Sequence, residues 1–277
     1  MLSRPEPPVT SVRVTAVRPG RHLELPEHLA TEEPLEIRAA GPRQGPSAVA
    51  VTMRTPGHDF ELAAGFLVTE GLVGPTGIAA VGYCATAEPE QRWNTVTVSL
   101  RHPWVPPPER RFLTTSSCGV CGKASIDQVE LSCPVLRPSG TIDASMLVSL
   151  PDRLRRHQRV FDRTGGLHAA GVFGMGGDVV VVHEDVGRHN AVDKVIGDLV
   201  LHPRTGGDER ALVLSGRVSF EIVQKAAIAG LGLVVAVSAP TSLAVSAATR
   251  LGVTLAGFVR GGRCNLYSHP ERVALDR

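Results

Sequence analysis

The 277-residue chain carries 29 basic and 27 acidic side chains, a net charge of +2, so no global basic surface argues for nucleic-acid binding. Its 43% hydrophobic content supports a globular core, one large domain or two smaller ones, and no uninterrupted apolar run reaches membrane-spanning length. Five cysteines (Cys84, Cys118, Cys121, Cys133, Cys264), odd in number and unevenly spaced, fit a reducing, cytoplasmic setting better than a secreted disulfide framework.

The amino terminus, MLSRPEPP, has no signal-like apolar stretch. Residues 1–30 read as a flexible arm around one short strand at 12–17. Residues 31–111 read as a smaller α+β region, with strands at 35–39, 48–54 and 95–100. Its helix at 60–68 is capped by Asp59 and ended by Gly71. The proline-rich segment 102–111 holds neither a regular helix nor a central strand and marks a boundary.

Residues 112–277 read as an α/β domain. Short helices are expected at 124–131 and from Asp143 to about 150, and an arginine-rich helix at 152–160 is opened by Pro151. A strand at 178–182 and a helix face through Ala191, Val195 and Leu199 follow. Then come a strand at 211–214, a helix at 220–229, a strand at 233–237, a helix at 243–251 and a strand at 253–258. Such alternation implies a layered sheet with right-handed crossovers.

Chemistry concentrates in two places. The segment TSSCGVCGK at 115–123 sets Cys118 and Cys121 two residues apart between glycines. A helix amino terminus and Lys123 are placed to lower the Cys118 thiol pKa, and the same spacing also fits half of a zinc site. A zinc deaminase would need His-x-Glu and Pro-Cys-x-x-Cys. Here His58 and Glu61 have two residues between them and Ser117 precedes Cys118, so the ligand set is incomplete.

The second place is the rim beyond the carboxyl ends of the strands, where open α/β sheets bind ligands. The turns at 183–190, 215–219, 238–242 and 260–263 fall there, offering Ser215, Ser219, Ser238 and Thr241 near helix starts. Arg188, Arg217, Arg260 and Arg263 add cationic partners for a phosphate-rich ligand. Taken singly, the serines and threonine also read as helix caps and the glycines as turn residues.

Six ordered stretches carry a family resemblance: TSSCGVCGK at 115–123, GGLHAAG at 165–171, EDVGRHNAVDK at 184–194, SGRVSFE at 215–221, SAPTS at 238–242 and GFVR at 257–260. Over about residues 12–267 the chain closely resembles the FdhD family of formate dehydrogenase accessory proteins. The resemblance implies an α/β three-layer sandwich with a mixed sheet, cytidine-deaminase-like, plus a smaller β-rich N-terminal region. It implies a homodimeric sulfurtransferase that accepts sulfane sulfur from a cysteine desulfurase as a persulfide on Cys118, with Cys121 as its neighbour. The sulfur then passes to the molybdenum cofactor, bis-molybdopterin guanine dinucleotide, before insertion into formate dehydrogenase. The family's cofactor-binding stretch falls on Phe258, Val259, Arg260, Gly261, Gly262 and Arg263, with Ser215, Arg217, Ser238 and Thr241 on the same rim. GDP or a related guanine nucleotide would occupy the same site, with Asp185 or Asp193 as acceptors for a guanine edge. The competing readings are a non-catalytic cofactor chaperone, a thiol-disulfide oxidoreductase and a zinc-stabilised nucleotide-binding module. Neither nucleic acid nor a membrane is an expected partner.

Overall fold

The computed structural model describes residues 5–84, 91–106, 112–114, 133–137, 140–204 and 210–275. The expected helix at 124–131, Cys118, Cys121 and Lys123 lie outside the described residues. The amino-terminal arm is a hairpin, not a single strand: β1 (Val9–Arg18) pairs antiparallel with β2 (Arg21–Ala30). The second strand has little buried face to reveal it, since most of its residues are exposed and Pro26 interrupts its pattern.

Strands β3 (Glu33–Ala40), β4 (Ser47–Arg54), β5 (Ile78–Tyr83), β6 (Thr95–Leu100) and β7 (Phe112–Thr114) form one sheet in the order β5-β6-β3-β4-β7. Alternate residues Leu35, Ile37, Val96 and Val98 turn inward. They pack on Leu62, Phe66 and Leu67 of helix α1 (Asp59–Thr69). Asp59 is not the helix cap. His58, left-handed at φ 56°, takes that position, and the buried Asp59 carboxylate receives both Nε and Nη2 of buried Arg54 at 3.0 Å.

The remaining described chain runs β8 (Ile142–Asp143), α2 (Ala144–Arg155), α3 (Arg159–Thr164), β9 (His168–Gly174), β10 (Val179–Asp185) and α4 (Arg188–Leu201). It continues through β11 (Arg210–Leu214), α5 (Phe220–Ile228), β12 (Leu233–Ala236) and α6 (Ser242–Leu251). Strands β13 (Thr254–Arg260), β14 (Arg263–Ser268) and β15 (Val273–Ala274) close it, with β15 paired to β8. Pro151 does not open a separate helix but lies within α2. An interior proline costs about 3 kcal/mol. Leu147, Leu150 and Leu154, all buried against the sheet at helical spacing, offset that cost.

The second sheet has the order β10-β9-β11-β12-β13-β14 and is mixed: β11, β12 and β13 are parallel, while β9 and β14 run the other way. Strand alternation divides its core. Ala170, Val172, Leu212, Leu214, Val234 and Leu255 face α4, α5 and α6, and Ala169, Phe173, Ala211, Val213, Val235 and Ala256 face α2. Helices therefore cover both faces, in three layers.

The two sheets are joined through α1 and α4, which approach backbone to backbone. A Cβ on Gly65 would lie 1.9 Å from the Asp193 carbonyl oxygen, and one on Gly197 would lie 1.8 Å from that of Glu61. Both helices sacrifice a side chain so that neighbouring residues can meet. Beside this seam Lys225 is buried, donating to Thr69, Glu70 and Asp193 at 2.8–3.1 Å. Burial alone would pull its pKa down, but the two carboxylates outweigh it and keep the ammonium charged.

Candidate functional site at the strand-end rim

Because β9 is antiparallel to both β10 and β11, strands β10 to β13 all end at one edge, where β9 begins. Hydrogen bonds lock the emerging turns together. Val218 N–H donates to Ala239 O at 3.1 Å, Thr241 N–H to Val218 O at 3.0 Å and Phe258 N–H to Ser238 O at 3.1 Å. Ser215 continues the pairing beyond β11. Its N–H donates to Ala169 O at 3.0 Å, and its hydroxyl accepts from Ala169 N–H at 2.9 Å. A preorganised rim of this kind needs little rearrangement to meet a ligand.

A cleft of ≈ 550 Å³ opens at this edge on the α2 side, lined by Leu167, His168, Ser215, Val237, Val259 and Arg260 on the sheet and by Asp152 from α2. That volume suits a small-molecule or nucleotide-sized group. Ser215, Val259 and Arg260 are thus brought together. The β13–β14 hairpin carries the other carboxyl-terminal candidates. Gly261 and Gly262, at φ 58° and 73°, make its two-residue loop, and Arg260 and Arg263 are directly paired across it. Phe258 is a non-glycine residue at φ 52° beside a shift in strand register, 37% exposed, with the Arg260 guanidinium 6.0 Å from its ring centre. Such backbone costs of order 1–3 kcal/mol, and here it presents an aromatic face beside the Arg260 guanidinium.

On the neighbouring turns Arg217 is exposed, while the Arg188 Nε is buried without a partner. Burial, with Arg188 and Arg217 close by, holds the His168 imidazole below its ordinary pKa. His189 lies 3.1 Å from the Ser219 hydroxyl and 3.5 Å from Glu221, whose carboxyl it helps hold down to about 2. Cationic groups from three of the four turns therefore look onto one edge, a setting for an anion.

Three expected site residues have other work. The Thr241 hydroxyl accepts from Ala244 N–H at 3.2 Å and caps α6. Asp185 is not an open acceptor for guanine, because it is buried against Lys194 at 2.7 Å and already receives Thr55 N–H, Gly187 N–H and the Asn190 amide. Asp193 is not on the rim at all. It faces α1 and α5 and holds Lys225 and Thr69. The residue that sequence reasoning underused is His168. Its strand, HAAGVFG, is rich in small residues and shows no alternation, so its place at the rim was hidden.

A mixed sheet with helices on both faces and a cleft with cationic side chains where four strands end defines the class: a three-layer α/β protein with a cationic rim at its strand ends. The chain belongs to the FdhD/NarQ family, whose profile matches residues 30–274. It is 47% identical to the sulfur carrier protein FdhD of Streptomyces avermitilis over 95% of each chain. It is 48% identical to that of Mycobacterium tuberculosis over 94% of this chain and 98% of the relative. A crystal structure of a candidate formate dehydrogenase accessory protein from Desulfotalea psychrophila superposes with a TM-score of 0.77 at 25% identity, covering 97% of this chain and all of that one. No helix among the described residues is long and apolar enough to cross a membrane.

Proposed function

We propose that this chain is a sulfur carrier: it accepts sulfane sulfur from a cysteine desulfurase on Cys118 and passes it to bis-molybdopterin guanine dinucleotide destined for formate dehydrogenase. The observation that carries this reading is its near full-length similarity to relatives named as sulfur carriers, in a chain that also holds a Cys-x-x-Cys. The Cys118 thiolate attacks the outer sulfur of the donor persulfide. The donor's S–S bond breaks, its cysteine leaves as thiolate, and no external oxidant is required. For delivery the sulfur must leave at the sulfide level. The Cys121 thiolate attacks the inner sulfur on Cys118, the persulfide S–S bond breaks, sulfide passes to the cargo, and the Cys118–Cys121 disulfide left behind is reduced by an external thiol.

Chain geometry supports transfer near the rim. Thr114 pairs in register with Thr52, whose hydroxyl donates to Asn190 Oδ1 at 3.2 Å beside Asp185. Cys118 follows four residues later, a span of at most about 14 Å. The cargo's phosphates suit Arg260, Arg263 and the Arg188–Arg217 edge, and Phe258 suits stacking on guanine. With Asp185 and Asp193 committed elsewhere, Asp152 in the cleft takes the guanine-edge role. Two copies of the rim in a homodimer would serve a two-armed cargo, and the same reading takes the layered sheet as cytidine-deaminase-type.

The test is intact mass after incubation of the wild type, Cys118→Ala and Cys121→Ala with a cysteine desulfurase and cysteine. A reductant-sensitive gain of one sulfur, lost in Cys118→Ala, is expected. No gain in any form, with guanine nucleotide still bound, would replace the carrier with a cofactor chaperone.

A further inference from the structure

Away from the rim, two helices bring a set of metal-ligating groups together. Asp198 and His202 stand four residues apart at the end of α4, so one turn of helix puts them on the same side. Glu61 comes from the first turn of α1. One ligand atom from each of Glu61, Asp198 and His202 lies within 4.8 Å of the others.

This meeting is built into the packing. Gly197 lies directly against the Glu61 carbonyl, where any Cβ would collide, so the missing side chain beside Asp198 is what allows Glu61 to reach it. A glycine inside a helix costs about 1 kcal/mol relative to alanine, and both α1 and α4 carry one at their contact. From β10, the buried His183 ring holds Asp198 Oδ2 at 3.2 Å through Nε2. His58, 4.0 Å from His183 between ring centres, has Nδ1 3.8 Å from Glu61 Oε1. Asp198 is therefore oriented from behind, the arrangement that fixes metal ligands, and Glu61 has the His58 imidazole beside it. On the open side Arg204 Nη2 lies 2.8 Å from Asp198 Oδ1, a cation already drawn to this spot. The α4 carboxyl end, the negative pole of the helix dipole, favours positive charge as well.

We propose that Glu61, Asp198 and His202 form a divalent transition-metal site, of the Zn²⁺ class, that clamps α1 to α4. One imidazole with two carboxylates selects such an ion over Mg²⁺ or Ca²⁺, which prefer all-oxygen shells. Bonds of roughly 2.0–2.2 Å in a tetrahedral site require donors nearer to each other than they now stand. Rotation of His202, whose side chain is 59% exposed, closes that gap while Arg204 swings into solvent. Water completes the fourth position.

The proposal is independent of the persulfide chemistry. Its test uses the full chain with Cys118→Ser and Cys121→Ser, so that thiolates do not compete. Co²⁺ and Zn²⁺ binding is then titrated by absorbance and calorimetry. One equivalent is expected, without thiolate charge-transfer bands and undisplaced by excess Mg²⁺ or Ca²⁺. Affinity should fall roughly tenfold or more in Glu61→Gln and in His202→Ala, a surface change that leaves the fold intact. Arg204→Gln, which removes the competing cation, should bind the metal more tightly, and Zn²⁺ should raise the melting temperature of the parent but not of His202→Ala. Absence of binding, affinity unchanged in Glu61→Gln and His202→Ala, or weaker binding in Arg204→Gln would show instead that the cluster is an ion-pair network alone.

Discussion

His168 reports the electrostatics of the rim at a single side chain. Burial and the nearby Arg188 and Arg217 favour its neutral form, so its folded pKa lies below the unfolded value of 6.5. The stability it contributes is complete above pH 6.5 and is lost as pH falls from there through the folded pKa. An NMR titration should give a midpoint below 6.5 that moves upward in Arg217→Ala. A midpoint at or above 6.5 would mean that the guanidinium groups do not act on this ring. Phe258 is the companion case, an aromatic held on strained backbone with its ring partly exposed at the same edge.

The helices show which features sequence pattern reveals and which it hides. In Gly197→Ala the new Cβ meets backbone, which cannot rotate away, so chemical denaturation should register a loss of about 3 kcal/mol, the upper end for overpacking. A loss below half a kilocalorie would mean that α1 and α4 can slide apart. The helix at 60–68 and the strands at 35–39, 95–100 and 211–214 were legible because burial on one face writes a period into the sequence. Strands β5, β9 and β14 were not, since glycines, alanines and polar edge residues break their alternation. Within the candidate site, the convergence of the four turns followed from strand direction. The commitments of Asp185 and Asp193 did not, because a carboxylate's partner is fixed by tertiary contact across more than a hundred residues of chain.

At the scale of the molecule, the two sheets are held by polar contacts as well as by helix packing. Lys194 Nζ lies 2.7 Å from Asp185, and it also donates to Thr55 O at 2.8 Å, beyond the end of β4. Asp185 in turn accepts Thr55 N–H at 3.1 Å. Removing the cation alone strands a buried carboxylate, so Lys194→Met should cost about 3–5 kcal/mol in urea unfolding. Adding Asp185→Asn should return part of that loss. Equal costs in the single and double variants would mean that the pair is not coupled.

The β13–β14 hairpin has one consequence of its own. Its two-residue loop sets Arg260 opposite Arg263 with no intervening side chain. Like charges at a cross-strand pair repel, so the hairpin tip carries a built-in penalty that counterions reduce and an anionic guest would remove. The end of the sheet is therefore under repulsive load at its tip, and an anion held between the two guanidinium groups would add to the cohesion of the last two strands.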